Sequence, residues 1–251
     1  MGRLKRAPGF DMKEASYPPA FPHDPLKEIF EGVYLAHGSI RIGPAIRISR
    51  NMVIVRSGNE LTLINPIRLD DGELRRLDEL GRVKHVIRLG DFHGMDDTFY
   101  VDTYGAEFWC QAGQSTYGLP KPDRVIDSGS APPITNAEFF LFERALFPEA
   151  ALLLRDHALL ITADSLQYLR DWSYTTLPAR IVMRFIGFRL GLVIGGPWLR
   201  RVTPKGGSMK PDFDRLLKLD FDNLVSAHGS LLRGGAKAEA RQLVAGTFMH
   251  A

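Results

Sequence analysis

The chain has little cysteine and no secretory leader pattern, and each shortage narrows the class of protein. Cys110 is the single cysteine among 251 residues, which excludes an internal disulfide framework and fits a reducing compartment. The first ten residues include three basic side chains, but no apolar core follows them, which predicts no signal peptide. We therefore expect a cytoplasmic protein.

The most apolar stretch, residues 181–199, is too interrupted to predict a transmembrane segment. It contains two arginines, four glycines and Pro197, whereas a span needs about 20 predominantly apolar residues. The pattern predicts a helix over residues 178–192, and two interpretations stay open. The helix could pack under or beside the functional site, or it could lie on a membrane surface with its arginines along one edge.

The excess of charge of one sign is also small. The 32 basic and 29 acidic residues give a formal net charge of +3, which is too small to indicate a nucleic-acid partner by itself, and we expect none. A late basic cluster could steer an anionic substrate or form a solvated helix face; it comprises Arg180, Arg184, Arg189, Arg200, Arg201, Lys205 and Lys210. We expect a small-molecule substrate, an anionic one if this cluster acts on it, and the sequence predicts no oligomeric state.

Motifs of several enzyme classes are missing. The sequence has no Walker-type phosphate loop and no Gly-x-Ser-x-Gly nucleophile elbow. Cys110 follows Trp109 in an apolar run, which favours a buried small residue over a nucleophile.

The order of the predicted elements indicates the fold class. Residues 1–25 contain five of the sixteen prolines and no clear hydrophobic period, which predicts an extended N-terminal arm. Residues 26–251 are predicted to form a single domain. Strand hairpins come first and mixed strand–helix units follow, which predicts an α/β sandwich with helices outside two facing sheets.

Three short segments carry most of the functional signal. Residues 90–97, 162–164 and 226–229 each place Asp or His directly after a run of apolar, β-prone residues. Side chains at strand ends can converge on one point, and converging carboxylates and imidazoles can hold a divalent metal ion. The three segments therefore predict a metal site at one edge of the sheets.

With these segments in this order, residues 28–245 resemble the metallo-β-lactamase-fold superfamily of metal-dependent hydrolases, in particular a divergent branch with a degenerate metal motif. The family signature is His-x-His-x-Asp-His, then a separate His, a bridging Asp and a final His. The resemblance implies a four-layer αβ/βα sandwich and one or two divalent ions. It also implies hydrolysis of an ester, thioester, lactone or phosphoester by a metal-activated water.

The first segment matches that signature in part. Asp91 falls on the first His of the signature and His93 on the second. Without a gap, Met95 takes the Asp position and Asp96 the second-metal His position. With a one-residue slip, Asp96 and Asp97 take those two positions, and both registers stay open. One of the three aspartates could instead cap the helix that follows.

The later segments match better. Asp164 falls on the bridging Asp and His228 on the final His, whereas the separate middle His has no counterpart. Glu149 lies nearest to its place, with Glu143 a weaker choice. The resemblance therefore implies Asp96 and Asp164 as catalytic carboxylates and a metal-ligand set of Asp91, His93, Asp96, Asp97, Glu149, Asp164 and His228. Such a carboxylate-rich set makes Fe²⁺ or Mn²⁺ as plausible as Zn²⁺.

Two other functions stay open beside the hydrolase. A fold relative that has lost catalysis would bind a ligand or a partner, and a phosphate-rich or nucleic-acid substrate would use the late basic cluster. Asp91, Asp96 and Asp97 lie close together and could replace one another as ligands. We therefore expect that replacing Asp164 or His228 with alanine lowers metal occupancy and the melting temperature of metal-loaded protein more than replacing Asp97 does.

Overall fold

The computed structural model describes residues 17–249, which form thirteen strands and six α-helices. In chain order these are β1 (Lys27–Phe30), β2 (Val33–Arg41), β3 (Arg47–Ser57), β4 (Glu60–Ile64), α1 (Asp71–Leu80), β5 (Arg82–Ile87), α2 (Asp97–Tyr104), β6 (Glu107–Gln111), β7 (Arg124–Ile126), β8 (Ala137–Leu141), β9 (Ala150–Leu154), β10 (Leu159–Thr162), β11 (Gln167–Leu169), α3 (Leu177–Phe185), β12 (Gly191–Val193), α4 (Gly196–Val202), α5 (Lys210–Leu216), β13 (Asn223–Ser226) and α6 (Ala236–Thr247).

Two sheets dominate the architecture. The larger has seven strands in the order β1 to β7, antiparallel from β1 to β4 and parallel from β4 to β7. The smaller has the order β13-β10-β9-β8, in which β10 and β13 run parallel. Strands β11 and β12 form a separate antiparallel ribbon.

The alternation of side chains along each strand builds three apolar layers. In β3, Val53 and Val55 point into the core between the two sheets, where they meet the inner face of β9 and β10. The alternate residues Met52 and Ile54 point outward under α1 and α2. Helices α4, α5 and α6 cover the outer face of the smaller sheet. The predicted four-layer αβ/βα sandwich is therefore confirmed.

The helix predicted over residues 178–192 is wrong beyond its first half. Helix α3 ends at Phe185, and strand β12 occupies part of the remainder. Gly187 and Gly191 adopt φ values of +99° and +101°, a conformation incompatible with a continuing right-handed helix. Among residues 17–249, no helix combines the length and the apolar character needed to cross a membrane.

Two other sequence predictions concern the ends and the thiol. Residues 1–16 of the predicted arm lie outside the described residues, and within the remainder His23 forms a β-bridge with Gly38. The single-domain prediction stays a prediction.

Cys110 is buried in the core beneath α2, and burial raises the pKa of its thiol to about 11, as expected of a packing residue.

Candidate metal centre

The centre lies at one edge of the sandwich, where strands of both sheets end. Strands β10 and β13 are parallel and in register, with Thr162 opposite Ser226. Asp164 and His228 each follow two residues later, so the register itself places them side by side. The turn after β5 supplies His93 from the larger sheet, closed by a backbone hydrogen bond from His93 to Gly90.

Three side chains meet there. His93 Nε2 lies 2.9 Å from Asp164 Oδ2, and His228 Nε2 lies 3.4 Å from Asp164 Oδ1. One donor atom from each residue falls within 4.8 Å of the other two, close enough for a single metal ion to contact all three. His93 is buried, whereas Asp164 and His228 are partly accessible.

Hydrogen bonds and burial set the protonation of this group. His228 Nδ1 donates to Ser49 O at 2.6 Å, which orients the ring with Nε2 towards the carboxylate of Asp164. Burial lowers the pKa of His93 to about 4, so its ring is neutral at neutral pH. Burial alone would raise the pKa of Asp164, but His93 and His228 hold it well below its ordinary value.

The donor set fits a divalent ion. Two imidazoles and one carboxylate are the ligand types of zinc and related sites. His93 Nε2 faces Asp164 Oδ2 and His228 Nε2 faces Asp164 Oδ1. A cation bound among these atoms would be held by two ring nitrogens and a carboxylate oxygen.

Solved structures resemble the chain over most of its length. VMB-1 superimposes with a TM-score of 0.66 at 12% identity, covering 92% of this chain and 100% of its own. TMB-1 gives 0.63 at 10% identity over 92% and 100%. The metallo-β-lactamase FIM-1 of Pseudomonas aeruginosa, solved in a mono-zinc form, gives 0.62 at 12% identity over 92% and 98%.

The chain has the metallo-β-lactamase fold. No protein-family model and no curated protein matches the sequence. At 8–12% identity the likeness covers the backbone arrangement alone.

The metallo-β-lactamase-fold scaffold holds the His228 loop through one strand of the opposite sheet. Asn51 of β3 donates from Nδ2 to Ser226 O at 2.8 Å and to Gly229 O at 3.0 Å. Its backbone N–H donates to Ala227 O, and Ser49 Oγ accepts from the Gly229 N–H. Every residue from 226 to 229 is thus tied to β3, which fixes where the imidazole of His228 can lie.

Glycines at two points let the backbones approach closely. Gly229 has φ +75°, and a Cβ there would lie 2.3 Å from Tyr168 O. At Gly90 a Cβ would lie 2.8 Å from the Cβ of Ala163, next to Asp164. The glycines flanking the Asp and His residues therefore bring the loops together.

The predicted ligand Asp91 is buried, and other groups already use both of its carboxylate oxygens. Oδ1 accepts from the backbone N–H groups of Ser115 and Thr116, and Oδ2 accepts from Thr116 Oγ1 at 2.5 Å. The carboxylate ties the Gly- and Pro-rich loop after β6 to the turn after β5. Its assignment as a metal ligand stays a prediction.

Asp97 is also buried and is engaged by an arginine. Arg88, at 0% exposure, donates from Nε to Asp97 Oδ2 at 2.6 Å. The same guanidinium donates to the carbonyl oxygens of Tyr117 and Leu119. A Cβ at Gly94 would lie 2.5 Å from its Cζ, which explains the glycine after His93. Asp97 therefore forms a buried ion pair with Arg88.

Glu149 and Asp96 lie near the centre but outside the three-residue group. Glu149 accepts from the backbone N–H groups of Ser165, at 2.8 Å, and Asp164, and so braces the turn that carries Asp164. Burial, together with the charge of Asp164, raises the pKa of Glu149 to about 8. Burial raises the pKa of Asp96 to about 6, against the opposing charge of Arg50.

Arg50 is a site residue that the sequence analysis missed. It is buried in β3 between Ser49 and Asn51, and its Nη2 donates to His93 O at 3.2 Å. Burial lowers the pKa of this guanidinium, and the charges of Asp96 and Asp164 oppose that shift. The available signal was three consecutive polar residues inside an otherwise apolar strand.

A cavity of about 200 Å³ opens beside Asp164. Its wall is largely aromatic, with Phe92, Phe188 and Trp198, and carries one cation, Arg201. Arg201 stacks over the ring of Phe92 at 4.6 Å, so its charge is held at the wall. The cavity can take a small apolar group joined to an anionic one.

Proposed function

We propose that the protein is a metal-dependent hydrolase that binds one divalent ion through His93, Asp164 and His228. The observation that carries this proposal is the convergence of two imidazoles and a carboxylate from three strand ends. An ion bound there would act as a Lewis acid and lower the pKa of a coordinated water to about 7. Zn²⁺, Fe²⁺ and Mn²⁺ all suit a mixed nitrogen and oxygen donor set.

The chain's own residues supply the remaining chemistry. Asp96, whose pKa is raised to about 6, changes protonation close to neutral pH and can accept or release a proton. Arg50 places a buried positive charge beside Asp96 and Asp164, where it can stabilise negative charge that develops on a substrate. Gln167 donates to Asp164 Oδ1 at 3.1 Å and orients that carboxylate.

The cavity supports a substrate class. A carbonyl or phosphoryl group at the metal centre would have its neighbouring apolar part against Phe92 and Trp198 and an anionic part near Arg201. We therefore propose a small ester, thioester, lactone or phosphoester that carries a negative charge.

A second candidate is a fold relative that binds a ligand without catalysis. Two observations favour it: the carboxylates of Asp91 and Asp97 are engaged by hydrogen-bond donors, and Arg50 lies where an extra positive charge compensates the acids. A protein of this kind would hold little metal and would hydrolyse none of the compounds tested.

Metal content separates the two candidates. Protein purified without chelator is analysed for bound metal, and its melting temperature is measured with Zn²⁺, Fe²⁺ or Mn²⁺ added. The hydrolase predicts about one ion per chain, raised melting temperature and turnover in an ester and phosphoester panel. His228→Gln should abolish all three. The control, His157→Gln, alters a histidine at the opposite end of β10 and should abolish none. Metal-free wild type that no ion stabilises would overturn the proposal.

A further inference from the structure

Helix α3 turns its apolar face outward. Leu177, Ile181 and Phe185 are spaced four residues apart and so share one face, and their exposures are 67%, 51% and 87%. The helix buries only Ala179. A surface helix of a water-soluble domain normally does the opposite and places such residues against the core.

The exposed apolar residues are concentrated around this helix. Within residues 17–249, half of the ten large hydrophobic side chains with high exposure fall between positions 177 and 190: Leu177, Ile181, Val182, Phe185 and Leu190. We call these five residues the α3 surface. Contiguous apolar patches of this kind mark sites of interaction with another molecule or a membrane.

The chain segment that carries the α3 surface has charge of one sign. Residues 172–211 contain seven arginines and lysines and no aspartate or glutamate. Arg180 and Arg184 are exposed and lie one helical turn apart along the edge of the apolar face. A partner that fits the α3 surface must therefore present an apolar region to the exposed hydrophobic side chains and negative charge to the arginines at their edge.

The body of the protein holds the helix in place. The Thr176 N–H, just before α3, donates to Arg47 O at 3.0 Å, and its hydroxyl donates to Ala45 O at 2.9 Å. These bonds join the start of α3 to the β2–β3 hairpin, where Ile42 is also exposed. The start of α3 is thus fixed to the body of the protein.

We propose that the α3 surface docks on the interfacial region of an anionic lipid bilayer. A helix face with an apolar centre and a guanidinium edge is the arrangement by which short amphipathic helices lie in the headgroup layer. A second copy of this chain is disfavoured as the occupant, because a two-fold contact through α3 would oppose two identical basic surfaces.

Docking would bring the candidate centre close to the lipid. Phe188 follows α3 directly and lines the cavity beside Asp164. The docking proposal does not depend on the proposed hydrolase function, because it rests on residues that lie outside the three-residue metal group.

The test measures binding of the full chain to vesicles of phosphatidylcholine with and without phosphatidylglycerol, by co-sedimentation at low and high salt. We expect binding to the anionic vesicles that weakens with salt. Phe185→Ser should lower the partition coefficient between vesicles and water roughly tenfold, because the bound protein loses an aromatic side chain inserted into the lipid. Arg184→Glu should lower it by about the same factor, because basic side chains near an anionic surface each contribute to binding.

Matched control variants distinguish binding through the α3 surface from nonspecific binding to vesicles. Val125→Ser changes a side chain of 46% exposure on β7, and Arg75→Glu reverses an exposed charge on α1. Both should bind as wild type does, and all four variants should melt as wild type does, since the side chains are exposed. Absence of vesicle binding, or equal loss in the controls, would overturn the proposal. Self-association abolished by Phe185→Ser, without vesicle binding, would also overturn it.

Discussion

Replacing Asp97 should lower the free energy of unfolding and leave metal binding unchanged. The sequence suggested that Asp97 is the less important acid, since two other aspartates lie close by. The structure changes that expectation for stability, because Arg88 is fully buried and donates from Nε to Asp97 at 2.6 Å. Asp97→Ala would leave a buried guanidinium with neutral acceptors only, which costs about 3–5 kcal/mol. Domains of this kind are stable by about 5–15 kcal/mol in total, so the loss is large.

Asp97→Asn gives a milder form of the same change. The amide oxygen keeps an acceptor for Arg88 Nε but removes the charge, so we expect a loss of about 1.5–3 kcal/mol. Urea unfolding of chelated protein measures this loss without a contribution from bound metal. Metal stoichiometry of the same variant should stay at the wild-type value, because Asp97 lies outside the three-residue group.

A double-mutant cycle with Arg88→Met provides the control for this prediction. If the pair acts as described, the two single changes are strongly non-additive, with a coupling energy above about 1 kcal/mol. An unchanged free energy of unfolding in Asp97→Asn would refute the argument. Loss of the ion in Asp97→Asn, with stability unchanged, would instead support Asp97 as a ligand.

Three further predictions concern the centre. Gly229→Ala should lower both the free energy of unfolding and the metal affinity, because its Cβ would lie 2.3 Å from Tyr168 O; calorimetry and metal titration check this. Asn51→Leu should weaken metal binding by about 10–100-fold although Asn51 touches no metal, because it positions the His228 loop. An unchanged metal affinity would remove that positioning role. Because burial lowers the pKa of His93 to about 4, the unfolded state binds a proton first as pH falls. Metal-free protein should therefore lose stability between pH 6.5 and about 4, and a His93→Gln variant should lose less in urea titrations over that range.

The strand ends made part of the centre predictable. An apolar run followed by Asp or His marks the point where a buried strand leaves the sheet, and Thr162 and Ser226 are in fact opposite each other. Asp164 and His228 therefore meet because of strand register, which alternating hydrophobicity partly encodes. Their convergence with His93 depends on packing one sheet on the other, which the family resemblance implied.

The supporting residues were not predictable, since they come from another part of the chain. Ser49 and Asn51 lie in β3, about 180 residues before the His228 loop that they hold, and Arg50 between them donates to His93 O. The sequence of β3 alone does not indicate that its polar residues contact the His228 loop, which follows a strand of the opposite sheet. Arg88 and Asp97 are near in sequence, but only the folded turn between them makes them a buried pair.

The distribution of charge argues for one ion rather than two. Near His93 the chain buries four acids, Asp91, Asp96, Asp97 and Glu149. Isolated buried carboxylates are expensive, so each needs compensation. Arg88 pairs with Asp97, backbone N–H groups serve Asp91 and Glu149, and Arg50 offsets the charge of Asp96. A second divalent ion would add two charges next to a buried guanidinium that already balances the acids. The acids that a second ion would need as ligands are thus largely engaged by the chain, although Asp97 Oδ1 has no partner among the described residues, and this supports the proposal of a single ion held by His93, Asp164 and His228.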